Sequence, residues 1–318
     1  MFTPAHGERL SDLCELTTAE PLSRFDDAHA AATLADTEIL VTSWGCPRLD
    51  SAALERAPRL RAAMHCAGTV KGHLTPDSFE RGVRVTSAAA ANAVPVAEFT
   101  LAMILLANKR ALPMSRRYAE VRGFRFWAEE FSNPGNYLKT VGIVGASRIG
   151  RRVIELLAPF DLRVLVHDPT LSDPELRALG AEPAALDPLL AAADVVSLHA
   201  PALPETRHLL DARRLACLRD GATLINTARG HLIDGEALER ELVRGRIDAI
   251  LDTTEPEILP AESPLYELPN VLLTPHIAGA LAGERTRMVD LALDEVERFV
   301  RGEPLEHEVR ASDWDRIA

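Results

Sequence analysis

The sequence predicts an α/β protein of two domains, each built on a parallel sheet with helices on both faces. Three observations predict it. From residue 140 onward, short β-rich runs alternate with helical ones, the order that lays parallel strands side by side under crossover helices. Those runs are apolar nearly throughout, as a strand buried on both faces must be. The N-terminal part repeats the same order in weaker form, and 318 residues is a length more often divided in two than folded as one.

Six strands are read in the second half: TVGIVGA from Thr140, LRVLVHD from Leu162, DVVSLH from Asp194, ATLINT from Ala222, DAILD from Asp248 and NVLLTP from Asn270. Helices fall between them. Arg148 to Pro159 carries Ile149, Val153, Ile154 and Leu157 at helical spacing, and Gly235 to Arg246 carries Leu238, Leu242 and Val243 after an Asp234 cap. The N-terminal strands are EILVTS from Glu38, LRAAMHC from Leu60 and VRVTSA from Val83. A helix from about Pro95, PVAEFTLAMILLANKR, is apolar over most of its circumference and is expected to be buried between domains or subunits. The aromatic stretch RYAEVRGFRFWAEEFSNPGNY lacks periodicity and reads as a connecting or dimer-contacting arm. Glu284 to Arg301 is amphipathic and is expected to return to the first domain.

Composition narrows the function classes. Hydrophobic residues at 47% and charged ones at 26% describe a folded globular chain. The net charge of −12, with basic residues scattered among acids, argues against a nucleic-acid partner. No stretch is read as reaching the roughly 20 apolar residues of a membrane span, and MFTPAHGERL lacks the order of a signal peptide, so a cytoplasmic protein without a membrane partner is expected. Cys14, Cys46, Cys66 and Cys217 lie far apart without metal-ligand spacing and read as reduced core residues, with no metal site.

Gly145-Ala-Ser-Arg-Ile-Gly150 follows the first strand of the second half and opens a helix, where a dinucleotide fingerprint belongs. Gly145 and Gly150 supply the tight turn and the close helix packing. Ser147 replaces the glycine that lets a pyrophosphate approach the backbone, yet the helix N-terminal amides stay free for phosphate. Asp168 closes the second strand and suits the adenosine ribose hydroxyls. No arginine follows at Pro169 or Thr170, so NAD(H) is expected over NADP(H).

In an open α/β sheet ligands bind beyond the carboxyl ends of the strands. Every strand end here carries a polar residue or glycine: Gly145, Asp168, His199, Thr227 with Arg229, Asp252 with Glu257, and His276. INTARGHLID from Ile225, LDTTEPEILP from Leu251 and LTPHIAGA from Leu273 resemble the three catalytic motifs of the D-isomer-specific 2-hydroxyacid dehydrogenases. The resemblance extends through LHAPALPETRHLLD from Leu198 and ANAVPVAEFTLAMILLANKR from Ala91. It implies two Rossmann-like domains with doubly wound parallel sheets, a nucleotide domain at 108–283 inserted into a flavodoxin-like substrate domain at 1–107 that 284–318 completes, and a homodimer. It also adds Arg148, Ile149, Pro201, Thr206, Ala228 and Gly279 to the cofactor contacts.

A 2-oxo acid presents a carboxylate beside a carbonyl, and a guanidinium is shaped to hold both while an alkoxide develops; Arg229 fits that role. Hydride transfer from NADH leaves an alkoxide that needs a proton, which a histidine supplies near neutral pH; His276 fits that one. A neighbouring carboxylate fixes the ring, and the family's spacing from Asp252 selects Glu257, with Glu255 the alternative. By resemblance, backbone amides of Ala67-Gly68-Thr69-Val70 bind the substrate carboxylate, although Lys71-Gly72 stands where many relatives carry Asp-Asn. Trp44 lies on the neighbouring loop, and an indole cannot pair a phosphate dianion, so glyoxylate, hydroxypyruvate or an apolar 2-oxo acid is expected over a phosphorylated one. Two other readings compete. One is an NAD(H)-sensing corepressor-like binding protein; the other is a phosphite-type or formate-type dehydrogenase, although formate enzymes similar to this family pair their histidine with a glutamine.

Overall fold

A computed structural model of the chain describes residues 2–18, 20–131 and 133–314. They form two compact units, one comprising residues up to Asn92 and from Ala280 on, the other Ala93–Gly279. The divisions fall at 92/93 and 279/280, not at the expected 107/108 and 283/284. The first lies inside a helix, which a pattern of apolar residues cannot reveal because the helical period continues unbroken across it.

The first unit runs α1 (Pro4–Leu13), α2 (Ala28–Asp36), β1 (Ile39–Thr42), α3 (Ser51–Arg56), β2 (Ala62–His65), α4 (Asp77–Glu80) and β3 (Arg84–Ser87). Helix α5 (Ala89–Asn108) carries the chain into the second unit. There follow α6 (Ala111–Val121), α7 (Trp127–Glu130), β4 (Thr140–Val144), α8 (Arg148–Leu157), β5 (Arg163–His167), α9 (Asp173–Ala178) and β6 (Glu182–Pro183). Then come α10 (Leu186–Ala192), β7 (Val195–Leu198), α11 (Ala212–Cys217), β8 (Thr223–Asn226), α12 (Gly235–Val243), β9 (Asp248–Leu251) and β10 (Val271–Leu273). The chain returns to the first unit with α13 (Arg285–Val300) and β11 (Glu308–Val309).

The second unit's sheet is parallel throughout in the order β10-β9-β8-β7-β4-β5-β6, seven strands where six were expected. The extra strand, Glu182–Pro183, is two residues long and carries no periodic signal. Chain order reverses between β4 and β7, the switch point at which such sheets bind ligands. The first unit's sheet is β1-β2-β3-β11, and its last pairing is antiparallel, so this sheet is not parallel throughout as expected. A return strand after α13 can pair in that direction without a crossover helix. Glu295 holds the return: buried on α13, its carboxylate accepts from the Glu306 and His307 amides at 3.2 and 3.4 Å.

Four other expectations are corrected. Helix α5 starts at Ala89 and keeps Pro95 inside it, at the cost of one backbone hydrogen bond. It is long and apolar enough to cross a membrane by length and composition, which the sequence was not read to contain. Its Ala97, Thr100 and Ile104 are nevertheless fully buried, two of them in the core of the second unit. The supposed arm begins as a regular helix, α6. Of the cysteines only Cys66 is buried; Cys14, Cys46 and Cys217 are partly exposed, and all four are free.

At its sheet each unit buries a histidine that its surroundings keep neutral, His65 in the first and His199 in the second. His65 shares a hydrogen bond between Nδ1 and Thr42 Oγ1 at 2.8 Å and lies 5.0 Å from the His73 ring; burial, with His73 opposing a second positive charge, lowers it to about 4. His199 bonds Ser197 Oγ through Nε2 at 2.9 Å, and burial lowers it to about 3. With folded values below the unfolded value, the stability each contributes is complete above about pH 6.5 and is lost as pH falls toward those folded values. Each unit is therefore expected to lose about 2 kcal/mol between pH 7 and pH 5. Urea unfolding at the two pH values checks this. His65→Asn and His199→Asn should each flatten the loss, and an undiminished drop in both variants would rule the assignment out.

Candidate active site

The glycine loop is shaped by backbone packing. Gly145 sits at φ +97°, and a Cβ there would fall 2.6 Å from the Ala200 amide. A Cβ on Gly150 would fall 2.1 Å from the Gly145 carbonyl oxygen. Ser147 caps α8, its hydroxyl accepting from Gly150 N at 3.4 Å. Asp168 Oδ2 accepts from Ala146 N at 2.7 Å, and Oδ1 accepts from Thr170 N and Oγ1 at 2.9 and 2.6 Å. A glycine-bounded helix N-terminus with a carboxylate fixed beside it fits a dinucleotide: amides for the phosphates, acceptor oxygens for the ribose.

The other expected cofactor residues divide by what they touch. Arg148 is exposed on the first turn of α8, whereas Ile149 packs on the core. His199 is buried behind the loop with Nδ1 unpartnered. Thr206 Oγ1 donates to the Pro201 carbonyl at 2.7 Å, so these two brace the turn after β7. The Thr227 hydroxyl pairs with Thr100 of α5 at 3.0 Å, inside the fold.

At the ends of β8, β9 and β10 three side chains converge. His276 Nδ1 lies 2.6 Å from Glu257 Oε1. A carboxylate only accepts, so Nδ1 donates and Nε2 is left to exchange protons. Glu255, the alternative, pairs instead with Arg207 at 2.9 Å. Arg229 donates to the Ala228 carbonyl at 2.7 Å and has no ion-pair partner among the described residues. Burial pushes its guanidinium below the ordinary value, and the charge of Glu257 acts against that shift. A partly buried arginine with no ion-pair partner among the described residues is prepared for an anionic ligand.

The turn carrying His276 is built by Asp252. His276 adopts φ +53°, a left-handed conformation that costs a non-glycine residue roughly 1–2 kcal/mol. The Asp252 carbonyl accepts from His276 N at 3.1 Å. Its buried carboxylate accepts from Thr274 Oγ1, Ile277 N and Ala278 N at 2.6, 2.8 and 2.9 Å. Asp252, expected on the cofactor, thus spends most of its acceptor capacity on the histidine's turn. Gly279 follows that turn.

Sequence reading missed three residues in these elements. Asn226 Nδ2 donates to the Arg229 carbonyl at 2.9 Å and its Oδ1 accepts from Ala228 N at 3.1 Å, fixing the peptide that carries the arginine. Gly230 lets two loops touch, since a Cβ there would fall 2.1 Å from the Thr254 carbonyl carbon and oxygen. The adjacent Arg229-Gly230 pair was the available signal. Gly230→Ala must push back the loop that holds Glu257, and a cost of about 1–3 kcal/mol is expected. A lowered melting temperature together with reduced kcat checks it; wild-type values for both would show the contact to be soft.

In the first unit, β1 and β2 run in register, pairing Thr42 with His65, so Trp44 and the Gly68–Thr69 loop leave the same sheet edge. Gly68 is open on one face, with only Asn92 Nδ2 at 3.8 Å from where a Cβ would stand. Asn92, the third missed residue, accepts from Ala280 N at 2.9 Å. Trp44 is half exposed, and the Arg285 guanidinium lies 5.7 Å from its ring centroid, a cation the sequence reading did not place beside it.

A parallel sheet with a glycine loop at its switch point and an Arg–Glu–His set at its carboxyl ends defines a nucleotide-dependent dehydrogenase. Residues 101–278, more than half of the chain, match the family model of the D-isomer specific 2-hydroxyacid dehydrogenase NAD binding domain. The chain is 35% identical over 259 residues to a glyoxylate reductase of Thermofilum pendens, covering 80% of this chain and 76% of that one. It is 34% identical over 306 residues to a D-3-phosphoglycerate dehydrogenase of Mycobacterium tuberculosis, covering 95% of this chain but 56% of that longer protein. It also superposes on the crystal structure of a D-lactate dehydrogenase of Aquifex aeolicus complexed with NAD and lactic acid, with a TM-score of 0.69 and 30% identity over 94% of this chain and 92% of that one. The chain belongs to the D-isomer specific 2-hydroxyacid dehydrogenase family. It is an NAD-dependent oxidoreductase.

Proposed function

We propose that the chain reduces a small 2-oxo acid to the D-2-hydroxy acid with NADH, in the cytoplasm and as a homodimer. The observation that carries this reading is the His276–Glu257 hydrogen bond together with an arginine, Arg229, that has no ion-pair partner among the described residues. NADH supplies the hydride. Arg229 takes the substrate carboxylate and steadies the oxygen that becomes an alkoxide. Glu257 accepts from Nδ1 and fixes the ring, so that Nε2 of His276 delivers the proton to that oxygen. Gly145, Ser147, Arg148 and Gly150 hold the pyrophosphate, and Asp168 the adenosine ribose.

Substrate selection is assigned to Gly68, Thr69 and Trp44 of the first unit. A glyoxylate-like or hydroxypyruvate-like acid is favoured by the similarity to the glyoxylate reductase of Thermofilum pendens. The cation over Trp44 weakens the ground for excluding a phosphorylated acid, so the test includes one. Purified protein is mixed with NADH and glyoxylate, hydroxypyruvate, pyruvate, a longer apolar 2-oxo acid or 3-phosphohydroxypyruvate, and absorbance is followed at the nicotinamide band. Oxidation with one of the unphosphorylated acids is expected. Turnover of none of them would overturn the reading. The homodimer is supported by Tyr118, Phe124, Phe126 and Tyr137, which are all exposed on or after α6.

A further inference from the structure

The first turn of α8 presents Arg148 and Arg151, and neither forms an ion pair among the described residues. Arg151 is the better placed. Its Nε donates to the Ala146 carbonyl at 2.9 Å, and Ala146 N donates to Asp168 Oδ2 at 2.7 Å. One residue therefore ties the guanidinium to the carboxylate that closes β5. Both Nη groups of Arg151 lack a hydrogen-bond partner among the described residues. The charge of Arg151 also reaches Glu175 on α9. That carboxyl is held below its usual range first by the Ser172 hydroxyl and amide and last by Arg151. Glu175 is committed to its cap, accepting from Ser172 N and Oγ at 2.8 and 2.6 Å, and is not available to neutralise the arginine.

NADP differs from NAD by a phosphate on the adenosine 2′-oxygen, the position that Asp168 addresses. We propose that Arg151 is a partner for a 2′-phosphate and that Asp168 is the group that holds its contribution down. This rests on reading Asp168 as the acceptor of the ribose hydroxyls. With the carboxylate present, a phosphate dianion meets a like charge at close range. With that charge removed, the same dianion meets an exposed guanidinium anchored through Nε, whose two Nη groups are free of partners among the described residues and able to form a bidentate bond. Preference for NAD over NADP in this chain then hangs on a single carboxylate, although no arginine follows β5 where NADP-binding relatives of this sheet architecture carry one.

The probe pair is 5′-AMP and 2′,5′-ADP, which differ only in the 2′-phosphate, and binding is measured by calorimetry on the full chain. Asp168→Asn is expected to improve 2′,5′-ADP relative to 5′-AMP about tenfold or more. Adding Arg151→Met should return the ratio to near the wild-type value. Arg151→Met alone should leave 5′-AMP and NADH binding within about twofold of wild type while weakening 2′,5′-ADP several-fold. A ratio unmoved by Asp168→Asn would overturn the proposal together with the ribose assignment. A gain that survives Arg151→Met would overturn the proposal and leave the ribose assignment standing. Should Asp168→Asn fold poorly, Asp168→Ser and the comparison of wild type with Arg151→Met carry the same test; an equal loss for both probes in the latter would also overturn it.

Discussion

Replacing His276 by glutamine is expected to lower kcat roughly a thousandfold, the usual scale for a positioned general acid, with NADH binding kept. Glutamine retains a hydrogen-bonding terminus but cannot deliver a proton, so the alkoxide formed after hydride transfer would have to wait for water. The cofactor should be little affected, because the loop at Gly145 and the Asp168 carboxylate are formed by β4, α8 and β5, without His276. Single-turnover measurement with NADH and the best substrate separates the two steps. A variant that keeps wild-type kcat would transfer the proton to another group and remove His276 from the mechanism.

Arg229→Met is the second large effect. Two charge-assisted hydrogen bonds to a carboxylate are worth about 1.5–3 kcal/mol each, so kcat/KM should fall by roughly a thousandfold, with KM taking much of the loss. Folding stability should move the other way. Arg229 is partly buried, desolvation opposes its charge, and it has no ion-pair partner among the described residues; an apolar side chain of similar length removes that cost. Kinetics and urea unfolding on the same preparation check both halves. Lowered stability with intact kcat/KM would make Arg229 a packing residue.

Much of this was legible before any coordinates. The strand ends announced themselves because β4, β7, β8 and β9 are continuous apolar runs that stop at a polar residue or glycine, and a buried parallel strand leaves no other pattern. The motif around Ile225 gave Arg229, and the spacing from Asp252 gave the glutamate that the structure sets against His276. The remaining features depend on contacts remote in sequence. Gly230 matters only because Thr254 passes over it, and Asp252 organises a turn more than twenty residues later. The start of α5 was misplaced because a proline suggests a first turn, whereas here Pro95 lies within a helix already begun at Ala89. Arg285 came to Trp44 through the return of α13, which no local period encodes.

The left-handed turn at His276 has a consequence for evolution under selection for stability. Asparagine accepts that backbone conformation with less strain than other residues bearing a side chain, so His276→Asn is expected to leave the folded state as stable as the wild type or more so. Differential scanning calorimetry would show it, and a clear fall in melting temperature would count against it. The position is then one where the fold alone would discard the histidine. What would favour the histidine there is the proposed proton delivery from Nε2, which asparagine cannot perform.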